Sequence, residues 1–84
     1  MQILSVQPAL DNSISYLSVV ANSIGKLTLK VFDRNGFIAK TISTHIAQGA
    51  QLLDINMSDL SNGTYIINAF NGDTFLKSIK IIKQ

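Results

Sequence analysis

Few side chains in this chain could run acid–base or metal chemistry: one histidine, five aspartates, no cysteine and no glutamate. His45 stands between Thr44 and Ile46 with no acid beside it. A structural or catalytic metal needs three or four ligands, and a catalytic imidazole needs an oriented partner, so His45 reads as a surface residue near a strand end. Asp11, Asp33, Asp59 and Asp73 fall beside turn residues, where a carboxylate caps its own backbone. Asp54 sits in an alternating stretch. No spacing brings two carboxylates together as a glycosidase pair, and no D-x-D-x-D-G calcium loop occurs. Neither G-x-G-x-x-G nor G-x-x-x-x-G-K is present, so no phosphate loop is expected. Without cysteine there is no disulfide, thiolate metal site or cysteine nucleophile. The expectation is a chain that is not an enzyme and holds no cofactor, metal or small-molecule substrate.

The elements that position these residues are strands. Hydrophobic residues make up 46% of the 84 and charged residues 14%, too apolar a mixture for disorder. Isoleucine, valine and threonine are plentiful, which favours strands over helices. Residues 1–84 are long enough for one core and are read as a single domain. Apolar runs are short, so no helix is expected to span a bilayer. Met1-Gln2-Ile3 has neither a basic segment nor an apolar stretch of secretory type.

Turn signals recur at intervals suited to an all-β sandwich. Ile3 to Val6 form a short apolar run that Pro8 ends, so it belongs at a sheet edge or a strand end. Asp11-Asn12-Ser13 reads as a turn. In Ser13 to Ala21, the residues Ile14, Leu17, Val20, Ala21 and Ile24 fit a helical face. Serines and β-branched residues decide instead for a strand. Leu27, Leu29 and Val31 alternate with Thr28, Lys30 and Phe32, a half-buried strand. Asn35-Gly36 supplies a tight hairpin turn. Phe37 to Thr44 return, with Ile38 and Ile42 on one side. Gly49 breaks the chain, and Leu53, Ile55 and Met57 alternate as the next strand. Ser58 to Gly63 then cross one end of the fold, with Leu60 plugging the core. Tyr65, Ile67 and Ala69 alternate, Asn71-Gly72 reverses the chain, and Phe75 to Ile82 form the last strand. About seven strands result, enough for two packed antiparallel sheets in an immunoglobulin-like sandwich.

Gly63 is expected at a positive φ angle, where the loop turns into the strand of Tyr65. Tyr65 reads as a core tyrosine whose hydroxyl finds a backbone partner, similar to the tyrosine corner of immunoglobulin-like domains. Phe32, Phe37, Phe70 and Phe75 are candidates for an exposed sugar platform, although strand aromatics more often pair across strands. The seven basic residues are scattered and the net charge is only +2, so nucleic acid is not the expected partner. Only Lys77, Lys80 and Lys83 share a segment.

Leu27-x-Leu29-x-Val31-x-Asp33-x-x-Gly36, Gly49 with Leu53-x-Ile55, Leu60-x-x-Gly63-x-Tyr65 and the basic apolar stretch Lys77 to Lys83 follow one another in order. Residues 27–84 thereby resemble the C-terminal sorting domain of the type IX secretion system of Bacteroidetes. The family opens with a proline-asparagine-proline segment, where this chain has Gln7-Pro8-Ala9. The resemblance implies an export signal that follows a cargo enzyme or adhesin. It would be recognised in the periplasm by the outer-membrane translocon, cut off by the system's signal peptidase or retained, and delivered to the cell surface or medium. The expected recognition residues are Lys77, Lys80 and Lys83. Asn35, Gly36, Leu60, Gly63, Tyr65 and Gly72 are motif residues with structural roles. The alternative is an immunoglobulin-like accessory domain that binds carbohydrate or acts as a spacer.

Overall fold

The computed structural model describes residues 3–10 and 13–83, with side chains described from Tyr16 to Lys83. Every element among them is a strand: β1 (Ile3–Leu10), β2 (Ser13–Ala21), β3 (Gly25–Phe32), β4 (Ile38–Ile46), β5 (Gly49–Asp54), β6 (Gly63–Asn71) and β7 (Thr74–Lys83). The chain is therefore all-β, as its composition requires. A three-stranded sheet has the order β1-β2-β5 and a four-stranded sheet the order β4-β3-β6-β7. All strand pairs are antiparallel.

Period-two alternation decides which residues meet. Leu17, Val19 and Ala21 of β2 face Leu27, Leu29 and Val31 of β3, Tyr65, Ile67 and Ala69 of β6, and Ile79 and Ile81 of β7 in one buried cluster. The strand reading of residues 13–21 is correct. A helix would have put Ile24 on the apolar face, whereas it is 78% exposed.

Several boundaries depart from the sequence reading. β1 does not stop before Pro8; it continues to Leu10, with Pro8 opposite Leu17. β1 is a sheet edge, where the missing N–H of proline can face away from the ladder. The Asp11-Asn12 turn lies outside the described residues. Asn35-Gly36 does not form a two-residue turn, because five residues separate β3 from β4. There the Gly36 N–H donates to the Asp33 carbonyl (3.0 Å), the Asp33 carboxylate accepts from the N–H groups of Asn35 (2.9 Å) and Phe37 (3.0 Å), and Gly36 has φ 87°. The strand assigned to Leu53, Ile55 and Met57 sits earlier: β5 ends at Asp54, while Ile55 and Met57 stay buried without a ladder. The last hairpin turns on Gly72-Asp73, with Asn71 still paired to Thr74.

Ile67 lies at the centre of the core, fully buried on the strand between β3 and β7. Ile67→Ala should destabilise the domain by about 2–5 kcal/mol in urea unfolding, through lost transfer energy and a residual cavity. A change below about 1 kcal/mol would contradict a tightly packed centre at this position.

Candidate functional site

β7 is an edge strand, hydrogen-bonded to β6 on one side only. Ile79 and Ile81 point into the core, so Ser78, Lys80 and Ile82 point outward. The register with β6 slips between Ala69 and Phe70. Lys77 and Ser78 stand at that irregularity, and both are exposed. Lys80, opposite Ile66, is exposed as well. Among the described residues neither Lys77 nor Lys80 forms an ion pair.

Lys83 is placed differently. It pairs with Gly63, is only half-exposed, and its ammonium donates to the Leu60 carbonyl and to that of Ser58 (3.4 Å). The lysines that look equivalent in sequence thus divide into two exposed cations, Lys77 and Lys80, and one that anchors a loop.

That loop, residues 55–62, carries the chain from the edge of one sheet to the middle of the other. Ile55 and Met57 are buried and Leu60 packs against the core. The Asn56 carboxamide oxygen accepts from the Ser58 N–H (3.0 Å) and hydroxyl (2.6 Å), and the Leu60 N–H donates to the Met57 carbonyl (3.1 Å). Lys40, on the opposite edge strand β4, donates to the Asn56 carbonyl and to the Asp59 carboxylate (2.9 Å). The Tyr65 ring is buried, and its hydroxyl donates to the Ser61 carbonyl at 2.6 Å. Gly63, at φ 152°, joins this loop to β6. Side chains from β4, β6 and β7 therefore satisfy loop carbonyls that would otherwise compete for water. Asn56-x-Ser58 is a local turn signal that sequence reading could have used. Lys40 had no such signal, because its partners lie 16 and 19 residues away.

The remaining candidates are dispersed. Asn35 and Gly36 shape the β3–β4 loop, and Gly72 lies in the β6–β7 turn at φ 59°. His45 is exposed opposite Lys26, beside a shallow groove that Ile24, Ala47 and Gln51 help to line. Among the described residues, no group of histidine and acidic side chains is placed to hold a metal ion. The four phenylalanines do not form one platform. Phe37 is 71% exposed in the loop that follows β3, and Phe32 is the last residue of β3. Phe70 and Phe75 meet edge to face at the other end, with centroids 5.7 Å apart.

The chain matches the secretion system C-terminal sorting domain family over residues 8–84, and it belongs to that family. It is thus a C-terminal sorting signal of type IX secretion, the export route of Bacteroidetes, which directs proteins to the cell surface or the extracellular space. The family is not an enzyme family. No curated protein and no solved structure matches the chain significantly.

Gly63→Val should cost on the order of 1–3 kcal/mol, because a β-branched residue is strained at this φ. Tyr65→Phe should cost about 1 kcal/mol through the lost bond to Ser61. Urea unfolding checks both, and unchanged midpoints would contradict these roles. The Lys40 hydrogen bond to Asp59 holds that carboxyl below its ordinary value of 3.8, helped by the charges of Lys40 and Lys83. A depressed carboxylate stabilises the fold above its unfolded value and stops doing so as pH falls through the lower folded value. Asp59→Asn should therefore flatten the loss of stability below pH 3.8, read from urea midpoints across an acid titration. A wild-type acid slope in that variant would contradict the assignment.

Proposed function

We propose that the domain is an immunoglobulin-like sandwich attached to a larger exported cargo, and that the type IX translocon reads it in the periplasm along β7. The three-plus-four sheet order and the tyrosine that ties its hydroxyl back to the loop before β6 support the immunoglobulin-like description. The observation that carries the functional reading is the placement of β7. Its backbone lies at a sheet edge, where unpaired groups can template a partner strand. Lys77 and Lys80 stand on it with no ion-pair partner among the described residues. They discourage indiscriminate edge pairing and offer charge to a complementary receptor. Lys83 belongs to the recognised strand but spends its ammonium on the 58–60 carbonyls, so it keeps the strand end in place. The system's signal peptidase then removes the domain or leaves it attached, and the cargo reaches the surface or the medium.

Substituting all three lysines would mix recognition with loop anchoring. The cleaner variant of a full-length precursor is Lys77→Gln with Lys80→Gln. It should keep the melting temperature of the domain while cargo accumulates in the periplasm, measured by fractionation and immunoblotting. Export at the normal rate would overturn charge recognition by β7. Normal export of a precursor lacking the whole domain would overturn the sorting reading for this cargo.

A further inference from the structure

We infer that the outer face of β3, β6 and β7 is a second contact surface, which docks on an acidic protein surface of the export machinery. The inference rests on the sorting-signal reading and extends recognition beyond the edge of β7. Register fixes which residues share this face. Phe70 is opposite Phe75, Asn68 opposite Ser78, Ile66 opposite Lys80 and Thr64 opposite Ile82. Lys30 of β3 is opposite Asn68, and its ammonium lies 5.0 Å from the centroid of the Phe70 ring. The outward positions of the three strands thus carry Phe32, Phe70 and Phe75, two isoleucines, and Lys26, Lys30 and Lys80. Phe75 is 53% exposed and Ile82 45% exposed, so these apolar groups have no cover of their own.

Charge selects the occupant. No aspartate stands on the outward positions of these strands: Asp33 and Asp73 lie in the turns at their ends, and Asp54 and Asp59 lie on β5 and the loop after it. The Asp33 carboxylate is already bound by backbone N–H groups. Among the described residues the only ion pair is Lys40 with Asp59, away from this face. Lys30 and Lys80 therefore present a positive field over an apolar floor, and a partner that supplies carboxylates around an apolar contact complements it. Ser78 donating to Asn68 closes a flat polar row between the two lysine positions, which suits a broad protein surface.

Lys30 decides the matter. It lies two strands from β7, about 10 Å away, so a partner strand added at the β7 edge alone would not feel it. Binding of full-length precursor to purified type IX translocon is measured across sodium chloride concentrations. Lys30→Glu should weaken binding about tenfold at roughly 50 mM salt and much less at roughly 500 mM, as screening removes the repulsion. Phe75→Ser should weaken it at both. Lys30→Gln should fall between wild type and Lys30→Glu, and it supplies a second variant should the charge reversal lower the melting temperature. Arg34→Glu, in the exposed β3–β4 loop, makes the same change in net charge away from the face and should leave binding unchanged. Wild-type binding by folded Lys30→Glu and Lys30→Gln, an equal loss from Arg34→Glu, or a loss indifferent to salt would each overturn the inference. So would self-association of wild-type precursor that Phe75→Ser abolishes, because a second copy would then be the occupant. If Lys30 variants instead lose binding to dextran sulfate and keep the translocon, the face serves an anionic glycan and the inference fails. A precursor lacking the domain that still binds and is still exported would overturn the sorting reading itself, an outcome distinct from all of these.

Discussion

Between Asp54 and Gly63 the chain must leave one sheet and enter the other without stranding backbone polar groups against an apolar core. Ile55 and Met57 are buried along the way, while Asn56, Ser58 and Ser61 stay exposed, so the path is held at alternate residues only. A hydrogen bond contributes about 0.5–1.5 kcal/mol net, so several made to one loop are a large share of a small domain's stability. The solution is to bring donors from outside the loop. Lys40 reaches it from one edge strand of the four-stranded sheet, Lys83 from the other, and the Tyr65 hydroxyl from below. β6 then starts at a fixed residue. That matters because a one-residue slip would turn Tyr65, Ile67 and Ala69 out of the core and Thr64, Ile66 and Asn68 into it. β7 takes its own register from β6, so the placement of this edge depends on the crossing behind it.

Strands β3, β6 and β7 were legible in the sequence because three signals agreed there: alternation, β-branched composition and a nearby glycine turn. β5 was misplaced because alternation reports burial, not hydrogen bonding. Ile55 and Met57 keep the apolar period after the ladder has ended. Pro8 was given too much weight as a terminator, since an edge strand can carry a proline on its open side. The site was less legible than the fold. Lys83 reads as a free cation in a basic segment, and only the return of residues 58–60 beneath it reveals its partners. Phe32 and Phe70 both lie on outward positions, yet Phe32 is opposite Ile66 and Phe70 opposite Thr28. Four residues of strand separate them, about 13 Å, which divides the aromatics into two groups.

The described edges limit unwanted pairing by three physical means: proline, lysine and shortness. β1 carries Pro8, β4 carries Lys40, and β7 carries Lys77 and Lys80. β5 has neither lysine nor proline, and its Leu52 is 65% exposed; with six residues it is the shortest of the strands, which limits the template it offers. β7 is the longest strand, at ten residues, and has the largest number of lysines. A long edge protected by charge stays closed to strands in general and open to one that brings opposite charge. Shortening the edge would protect it too, but would remove the exposed charges of Lys77 and Lys80.

The fold also makes unequal what the linear segment makes alike. Along residues 77–83 the lysines recur every third position, three like cations in one short segment. In the sheet, Lys77 sits at the register slip, Lys80 joins Ile66 on the outer face, and Lys83 turns back to the loop. Phe70 and Lys30, distant in sequence, become neighbours of that face only because β6 lies between β3 and β7. A receptor that bound the basic segment as a peptide would accept many unrelated lysine-rich sequences. One that requires the folded arrangement tests the crossing loop, the register of β6 and the order of the sheet at once. On the proposed reading of β7 and its outer face, the information in the signal resides in the packed domain, and the apolar core is the frame that sets these few charges apart.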